Sequence, residues 1–567
     1  MRSGPLCFVI ATTFKRFIWS DLVWVSGDTQ QDCTMGIPNH CHAGAAALVA
    51  AGLLLTACGQ SNSSAGSDAP TPPAEPVACP EPGDLTTAAE VLADRLPDEA
   101  LLEIWQRRMV ERGPRFTGSP ALAAWHDFLA EELASYGLSV ERDPMSLEWW
   151  HHHDYSLTLI VDGVETPIPV ASFYPYSGYT PDGGVVGRLA DAGAGLPQDF
   201  LLGDFSNTVV IYEEDQLPLT LALLYSTTSY VHDPDNTMTP ATPYRRASVS
   251  FLTPQEQVSV GLARDAGAVA AIVSYDASAE NAAGQYTPFL TNPADSQGLP
   301  TLYVDRATGD QLKAAIADGA QVRLELLVER DPDAETDIVI ATLPGTNPDE
   351  VMLFNTHTDG TSASQENGTL GILALARYFA SLPPQCRQRT MTFVMMPGHF
   401  HNGFGGDTAG FISRYPELIG RSVASLTMEH LGQPEWLDDE QGFHPSGEYE
   451  PGVWYGTDNV VQALMTAAVQ AEDLRRVFVN RPIGVIYFGV GSPLNAAGVP
   501  NASYITGPNM MLSFAENQHV EKVDYARMAA EIRSAARIAT AMDATSTELL
   551  CAGVRSQSPT TPSGCFP

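Results

Sequence analysis

Apolar and polar positions change between two patterns through the C-terminal part of the chain. From residue 335 onward, short apolar runs typical of buried strands are followed by segments of helical periodicity. The predicted strands lie in "DIVIATLPG", "EVMLFNTHTD", "TMTFVMMPGHF" and "SVASLTMEHLG", and the predicted helices follow Gly368 and cover about 458–472 and 523–542. Strands that alternate with helices predict an α/β fold, with a mostly parallel sheet and helices on both faces.

Two further patterns precede this region. Residues 101–144 predict a helix, a turn at Gly113 and Pro114, and a second helix with an apolar stripe. At "EWWHHHDY" (148–155) the pattern changes to short β-like runs broken by Gly, Pro and Asp. Within these runs, "NTVVIYEED" predicts a strand, "VGLARDAGAVAAIVSYD" a helix and a strand, and "LPTLYVDRATGDQLKAAI" a strand and a helix.

The N-terminal region has a different composition. Residues 43–57, "AGAAALVAAGLLLTA", are apolar but short for a bilayer span, as in the core of a signal peptide. "LTAC" ends at Cys58 and resembles a bacterial lipobox, and a Ser/Pro/Gly-rich tether follows it. We therefore expect lipidation at Cys58, translation from Met35, and a location in the bacterial cell envelope facing outside the cytoplasm. A buried helix with a chance cysteine is the alternative.

The charge of the chain bears on its partners, and its cysteine content bears on disulfides. The chain has 30 basic and 67 acidic residues, which argues against a nucleic-acid partner. After Cys58 it has four cysteines, which in an oxidising compartment could form two disulfides in three pairings. Of these, Cys551 and Cys565 are close enough in sequence to tie down the C-terminal tail; the other two are Cys79 and Cys386.

Polar residues with metal-binding side chains follow the predicted strands. His357, Asp359 and Glu366 lie in the loop of "FNTHTDGTSASQENGTLGILALARYF", between a strand and a buried helix. His399 follows the next strand and Glu429 lies near the end of a third. Ligands of parallel sheets bind beyond the carboxyl ends of the strands, so we expect a metal centre at this edge.

Three segments resemble the family 28 zinc metallopeptidases, which include bacterial aminopeptidases. They are "GPRFTGS", "ATLPGTNPDEVMLFNTHTDG" and "SPLNAAGVPNASYITG", and the similarity covers about 95–145 and 335–545. The intervening segment resembles the protease-associated domain, a small β-rich module inserted in several peptidases. The resemblance implies a zinc-aminopeptidase-like fold around this insert.

The resemblance also implies domain boundaries and ligands. The predicted divisions are a leader ending in a lipoprotein signal peptide (1–58), a tether (59–84), the two parts of the peptidase-like domain (85–148 and 333–548), the insert (149–332) and a tail (549–567). In the family, the histidine at the position of His357 binds zinc, the carboxylate of Asp359 orients it, and the carboxylate at Glu366 bridges two zinc ions. Glu429 occupies a further ligand position, beside His430.

The later motifs depart from the family. Where the family has two adjacent glutamates, a base and a ligand, this chain has His399 and Phe400. We expect His399 to transfer protons and His401 to stand in as a ligand. Phe514 and Gln518 occupy the positions of the last ligand motif, which leaves the neighbouring His519 as a candidate.

Two functions remain open from the sequence. The favoured one is a metallohydrolase of the zinc-aminopeptidase type, with one or two zinc ions, acting on peptides or amide-linked substrates. The alternative is a catalytically degenerate lipoprotein that binds peptides or a protein partner. Neither a G-x-S-x-G elbow nor a phosphate-binding loop occurs, and the consecutive histidines 151–153 cannot converge on one ion from a strand.

Overall fold

The computed structural model describes residues 78–201, 203–247, 255–287, 298–401, 403–483, 487–555 and 557–566. The predicted leader, the site Cys58 and most of the tether lie outside these residues. All the described residues belong to one compact unit. None of the described helices is long and apolar enough to cross a membrane.

The described strands and α-helices share the alternation that the sequence predicts in the C-terminal part. The strands are β1 (Ser139–Val161), β2 (Val164–Ile168), β3 (Ser172–Phe173), β4 (Val185–Asp191), β5 (Thr208–Glu214), β6 (Thr228–His232), β7 (Ala270–Tyr275), β8 (Thr301–Asp305), β9 (Gln321–Leu343), β10 (Asn347–His357), β11 (Arg389–Met396), β12 (Ser422–Met428), β13 (Pro434–Asp439), β14 (Gly442–Tyr449), β15 (Gly452–Gly456), β16 (Val477–Asn480) and β17 (Asn501–Ile505). The helices are α1 (Glu99–Val110), α2 (Pro120–Ser135), α3 (Pro197–Leu201), α4 (Ala222–Tyr225), α5 (Gln255–Asp265), α6 (Ala279–Ala282), α7 (Arg306–Ala315), α8 (Gly368–Ser381), α9 (Thr408–Arg414), α10 (Pro416–Ile419), α11 (Asn459–Ala471), α12 (Ser492–Ala496), α13 (Tyr525–Ala544) and α14 (Thr547–Cys551).

The centre of the main sheet is parallel. β10 lies between β11 and β12, parallel to both, and β17 continues parallel to β12. These strands are almost wholly buried, which explains their continuous apolar runs. The α/β class with a mostly parallel central sheet is therefore confirmed.

Helices cover both faces of this sheet, as predicted. On one face α8 packs against β10 and β12, and α13 packs against α8 and α11. On the other face, side chains of α9 and of the segment around α12 cover β10 and β11. β13 and β14 form a separate antiparallel pair. The candidate residues follow the carboxyl ends of the central strands.

The middle segment joins the same sheet rather than forming a second one. β1 and β9 pair antiparallel along nearly their whole length, and β9 bonds to β4 near its start and to β11 near its end. The predicted boundaries at 148/149 and 332/333 fall within this strand pair, beside a shift in its register between Leu147 and Trp149. The predicted strands and helices of the segment are confirmed as β5, α5, β7, β8 and α7. Its assignment as a protease-associated domain stays a prediction.

Two disulfides fix the ends of the described chain. Cys79 bonds to Cys386 across 307 residues, and Cys551 bonds to Cys565 across 14. The first ties the segment after the tether to the loop before β11. The second ties the tail to α14, as the sequence suggested. The sequence left three pairings open, and the fold selects one because it brings these sulfurs together.

We expect the loss of the longer disulfide to destabilise the protein more than the loss of the shorter one. A cross-link restricts the unfolded chain in proportion to the logarithm of the loop that it closes. Cys79→Ser with Cys386→Ser should lower the free energy of unfolding by about 4–5 kcal/mol, against about 3 kcal/mol for the shorter disulfide, and urea denaturation measures both. The matched control is Cys551→Ser with Cys565→Ser, and a loss for the control as large as for the long-range pair would contradict the expectation.

Candidate metal centre

Two adjacent strand ends bring three metal-binding side chains together. His357 is the last residue of β10, and Glu429 and His430 directly follow β12, its parallel neighbour. One ligand atom from each of these side chains lies within 4.8 Å of the others. His357 Nε2 is 3.8 Å from Glu429 Oε2. All three side chains are buried.

The atoms that face one another in this cluster lack hydrogen-bond partners. His357 Nε2, Glu429 Oε2 and His430 Nε2 are each buried without one. Leaving a buried polar atom unpaired costs about 1–3 kcal/mol, so three of them in one place require an explanation. A cation bound between them would satisfy all three.

The other polar atom of each side chain is held by the backbone. His357 Nδ1–H donates to Asp359 O (2.8 Å), and His430 Nδ1–H donates to Thr506 O (2.6 Å). Glu429 Oε1 accepts from Val490 N–H (2.8 Å). Such bonds fix the tautomer and the orientation of each imidazole and leave Nε2 as the acceptor that a metal needs.

His430 has an unusual backbone conformation. Its φ of 54° lies in the left-handed region, which residues other than glycine rarely adopt. Thr506 stabilises this conformation from both sides, because its Oγ1 donates to His430 O (2.6 Å) while its own carbonyl accepts from the ring. Strain of about 1–3 kcal/mol persists only where the surrounding structure enforces it, and it is concentrated at functional sites.

Burial sets the charges of the cluster. It lowers the pKa of His430 to about 4 and that of His357 well below its usual value, with the neighbouring histidines adding to the effect at His357. It raises the pKa of Glu429 to about 8, against the opposing hydrogen bond from Val490. The imidazoles are therefore neutral at pH 7, which is the form that binds metals.

The donor set fits one zinc ion. Two histidines and one glutamate with a further position open to solvent or substrate are typical of catalytic zinc. Two zinc ions would need about five protein ligands. Among the described residues, no other histidine, cysteine or carboxylate joins the cluster.

Glu366, the predicted bridging ligand, has a different partner. Its Oε1 accepts from the guanidinium of Arg115, and both side chains are fully buried. Arg115 also donates to Asn517 Oδ1 and to Ser362 O. The cationic neighbour of Glu366 is thus an arginine from the loop before α2, which the sequence did not single out.

Asp359 orients the His357 ring through a different atom than predicted. Its carboxylate is 3.9 Å from His357 Nδ1, beyond hydrogen-bond distance, and its backbone carbonyl orients the ring instead. The carboxylate accepts from the backbone N–H groups of His399 (3.0 Å) and Phe400 (2.7 Å) and from Thr117 Oγ1 (2.6 Å). Asp359 therefore fixes the loop after β11 against the loop after β10.

Of the three further histidines that the sequence predicted at the site, one lies beside the cluster and two do not. The His399 ring lies 4.2 Å from the His357 ring, centroid to centroid, which places it beside the cluster. His401 Nε2 instead bonds to Glu148 O (2.8 Å), and His519 is half exposed and bonds to Glu521 (2.7 Å). Neither His401 nor His519 joins the cluster, because their loops carry them towards β1 and towards the surface.

A cavity of about 450 Å³ opens beside the cluster. Its polar lining includes Gln365, His399, Glu429, His430 and Thr506. The remaining lining is mainly apolar: Leu219, Leu223, Leu224, Tyr244, Pro451, Val453, Tyr487, Phe488, Val490, Pro493, Ile505 and Met511. An apolar cavity with a few polar groups in its lining is typical of a small-molecule or peptide site.

Sequence reasoning missed His430 and Gln365 as parts of this site. His430 stood beside Glu429 in the motif, and adjacent residues of a strand point to opposite faces, which disfavours joint binding. The left-handed backbone at His430 removes this restriction by turning the chain after β12. The signal available was the Glu–His pair itself, at a strand end.

The sequence matches no family model and no curated protein. Solved structures do match. An aminopeptidase from Aneurinibacillus sp. strain AM-1 aligns with a TM-score of 0.52 at 15% identity, over 79% of this chain and 94% of its own. A peptidase M28 precursor from Shewanella amazonensis gives 0.56 at 17%, over 79% and 97%. A zinc aminopeptidase from Bacillus subtilis gives 0.52 at 16%, over 79% and 94%. The chain thus has the fold of these peptidases.

Proposed function

We propose that this protein is a hydrolase of peptides or other amide-linked substrates that uses a single zinc ion. His357, Glu429 and His430 would hold the ion. The observation that carries the proposal is the convergence of their three unpartnered buried atoms beside the apolar cavity, which Glu429 and His430 line. The fold shared with zinc aminopeptidases supports the choice of metal and of substrate class.

The chain's own residues would divide the work as follows. Zinc at such a set supplies a Lewis acid that polarises a carbonyl oxygen or a water molecule. His399, neutral because burial lowers its pKa to about 3, lies beside His357 and lines the cavity, where its ring could accept or donate a hydrogen bond. The apolar walls exclude water and would hold an apolar side chain of the substrate.

The predicted insert contributes to these walls. Leu219, Leu223, Leu224 and Tyr244 come from residues 149–332 and line the cavity. We propose that this segment restricts substrates by the size of the space that it leaves in the cavity.

The rival proposal is a binding protein without catalysis, and one observation favours it. Phe400 stands at the position of the family's second glutamate, and its side chain is completely buried in an apolar cluster. Together with the pairing of Glu366 and Arg115, this removes two features of a two-zinc peptidase. A single-zinc site does not need either feature, which is why we favour the hydrolase.

Metal analysis and a substrate screen test the choice. The chain from Gly59 onward, dialysed and analysed by elemental mass spectrometry, should hold one equivalent of zinc and should cleave aminoacyl or peptidyl amides with large apolar side chains. One equivalent without turnover of any such substrate would favour the binding protein. No stoichiometric metal after reconstitution would overturn the zinc proposal.

We further propose that the protein is exported and anchored in the cell envelope through lipid on Cys58. The signal-like run and the tether support this, and two disulfides are typical of proteins that fold in an oxidising compartment. Metabolic labelling with palmitate tests it: label that persists in Cys58→Ala would overturn the assignment.

A further inference from the structure

The loop between β10 and α8 is fixed by its own side chains. The hydroxyl groups of Thr361 and Ser362 both donate to the carbonyl of Met511, at 3.1 and 2.7 Å. Asn367 exchanges two hydrogen bonds with the backbone of Leu431, at 2.8 and 2.6 Å. The conformation of this loop is therefore set by bonds on both sides of its centre.

Gln365, which lies between Ser362 and Asn367, is an exception. Its backbone N–H donates to Ser362 Oγ (3.2 Å), and its side chain is completely buried. Both atoms of its terminal amide, Oε1 and Nε2, lack a hydrogen-bond partner. The residue lines the cavity together with Glu429 and His430. The bonds of Ser362 and Asn367 fix the chain on both sides of Gln365.

The two unpartnered atoms define what would bind there. Oε1 accepts a hydrogen bond and Nε2 donates one, and both belong to one planar group. A complementary ligand therefore presents a donor and an acceptor side by side, as a primary amide or a peptide residue in extended conformation does. A carboxylate would face Oε1 with another acceptor, and an ammonium group would face Nε2 with another donor.

We propose that Gln365 forms an amide-binding subsite, which holds a neutral amide group of the ligand beside the His357–Glu429–His430 cluster while the apolar part of the ligand fills the cavity. This deepens the proposed function and rests on it for the position of the amide relative to the zinc ion. Burying an unpartnered amide disfavours the free protein, so the ligand gains by satisfying it.

A pair of probes isolates the amide group. 4-Phenylbutanamide and 5-phenylpentan-2-one have the same shape, but the ketone has a methyl group in place of the NH₂ group and so lacks the donor. Binding to the zinc-loaded protein is measured by calorimetry. We expect the amide to bind about tenfold or more tightly than the ketone, since each hydrogen bond is worth up to about tenfold and an unpaired partner costs more. In Gln365→Leu this preference should disappear.

Gln462→Leu is the matched control. Gln462 is also a buried glutamine, but its Nε2 donates to Gly456 O (3.0 Å) and it does not line the cavity. The control should keep the amide preference and melt at a lower temperature, whereas Gln365→Leu should melt at the same temperature or higher. An amide preference that survives in Gln365→Leu, or is absent from the wild type, would overturn the subsite.

Zinc analysis of the same samples separates this inference from the proposed function. A Gln365-dependent amide preference in a protein that takes up no zinc would leave the subsite standing and remove the hydrolase. Full zinc content with no preference for the amide would remove the subsite and leave the hydrolase proposal standing.

Discussion

Replacing His430 by alanine is expected to weaken zinc binding by at least about a hundredfold and to abolish metal-dependent hydrolysis. Loss of a residue that only orients a ligand already costs 10–100-fold in affinity, and removal of the ligand itself should cost more. His357→Ala should give the same result, since its Nε2 is unpartnered in the same cluster. Competition with a chromogenic chelator measures the zinc affinity.

The same titration distinguishes the cluster from the ligands that the sequence suggested. His401→Ala and His519→Ala are the matched controls, because both histidines bond elsewhere in the protein. Both should keep the zinc affinity of the wild type. A loss of zinc in His519→Ala with none in His430→Ala would contradict the assignment.

The second large effect is expected at Arg115. Arg115→Met leaves the carboxylate of Glu366 buried without its cation, and breaking a buried ion pair in this way costs about 3–5 kcal/mol. Arg107→Met removes an exposed ion pair with Glu103 and should cost less than about 1 kcal/mol. Urea denaturation at constant zinc concentration measures both.

The pH dependence of the stability tests whether the unpaired carboxylate of Glu366 causes the loss in Arg115→Met. Burial raises the pKa of Glu366 to about 7, and Arg115 acts against this rise. Without Arg115 the pKa of Glu366 in the folded protein rises further. Between the ordinary pKa of about 4.5 and this raised value, Glu366 is protonated in the folded state and ionised in the unfolded state. As the pH rises from about 4.5 towards 8, the stability of Arg115→Met should therefore fall further than that of the wild type, whose Glu366 titrates at about 7. Adding Glu366→Gln should remove this fall, and a pH-independent loss would contradict the ion-pair explanation.

Glu366 and Phe400 stand at positions where the resemblance implies zinc ligands. The guanidinium of Arg115 pairs with the carboxylate of Glu366, at the position where the resemblance implies a bridging zinc ligand. A fold does not determine chemistry, which depends on the few side chains at its site. We propose that this chain holds a metal at the His357–Glu429–His430 cluster and a guanidinium beside Glu366.

Local patterns predicted much of the fold because they report burial directly. The apolar runs that became β10, β11 and β12, and the helical periodicity of α8 and α13, follow from the faces that these elements bury. His357 and Glu429 were also predicted, since residues at the ends of parallel strands meet at one edge of the sheet. The pairing of Cys551 with Cys565 was suggested by a separation of 14 residues.

Partners distant in sequence could not be predicted in this way. Arg115 meets Glu366 across 251 residues, and Cys79 meets Cys386 across 307. The carboxylate of Asp359 binds the loop after β11, and only its carbonyl turns to His357. Each of these contacts depends on how loops from separate strands pack, which no local pattern encodes.

The sequence by itself determined the α/β fold, the edge of the sheet that holds the site and the imidazole at the end of β10. The tertiary structure alone decided which side chains complete the cluster. His430 has a left-handed backbone and joins Glu429 in the cluster. Glu366 pairs with Arg115, and Gln365 lines the cavity from a loop fixed by the bonds of its neighbours. The physical reason is that burial pattern is a property of each segment, whereas the satisfaction of buried polar atoms is a property of the whole packed chain.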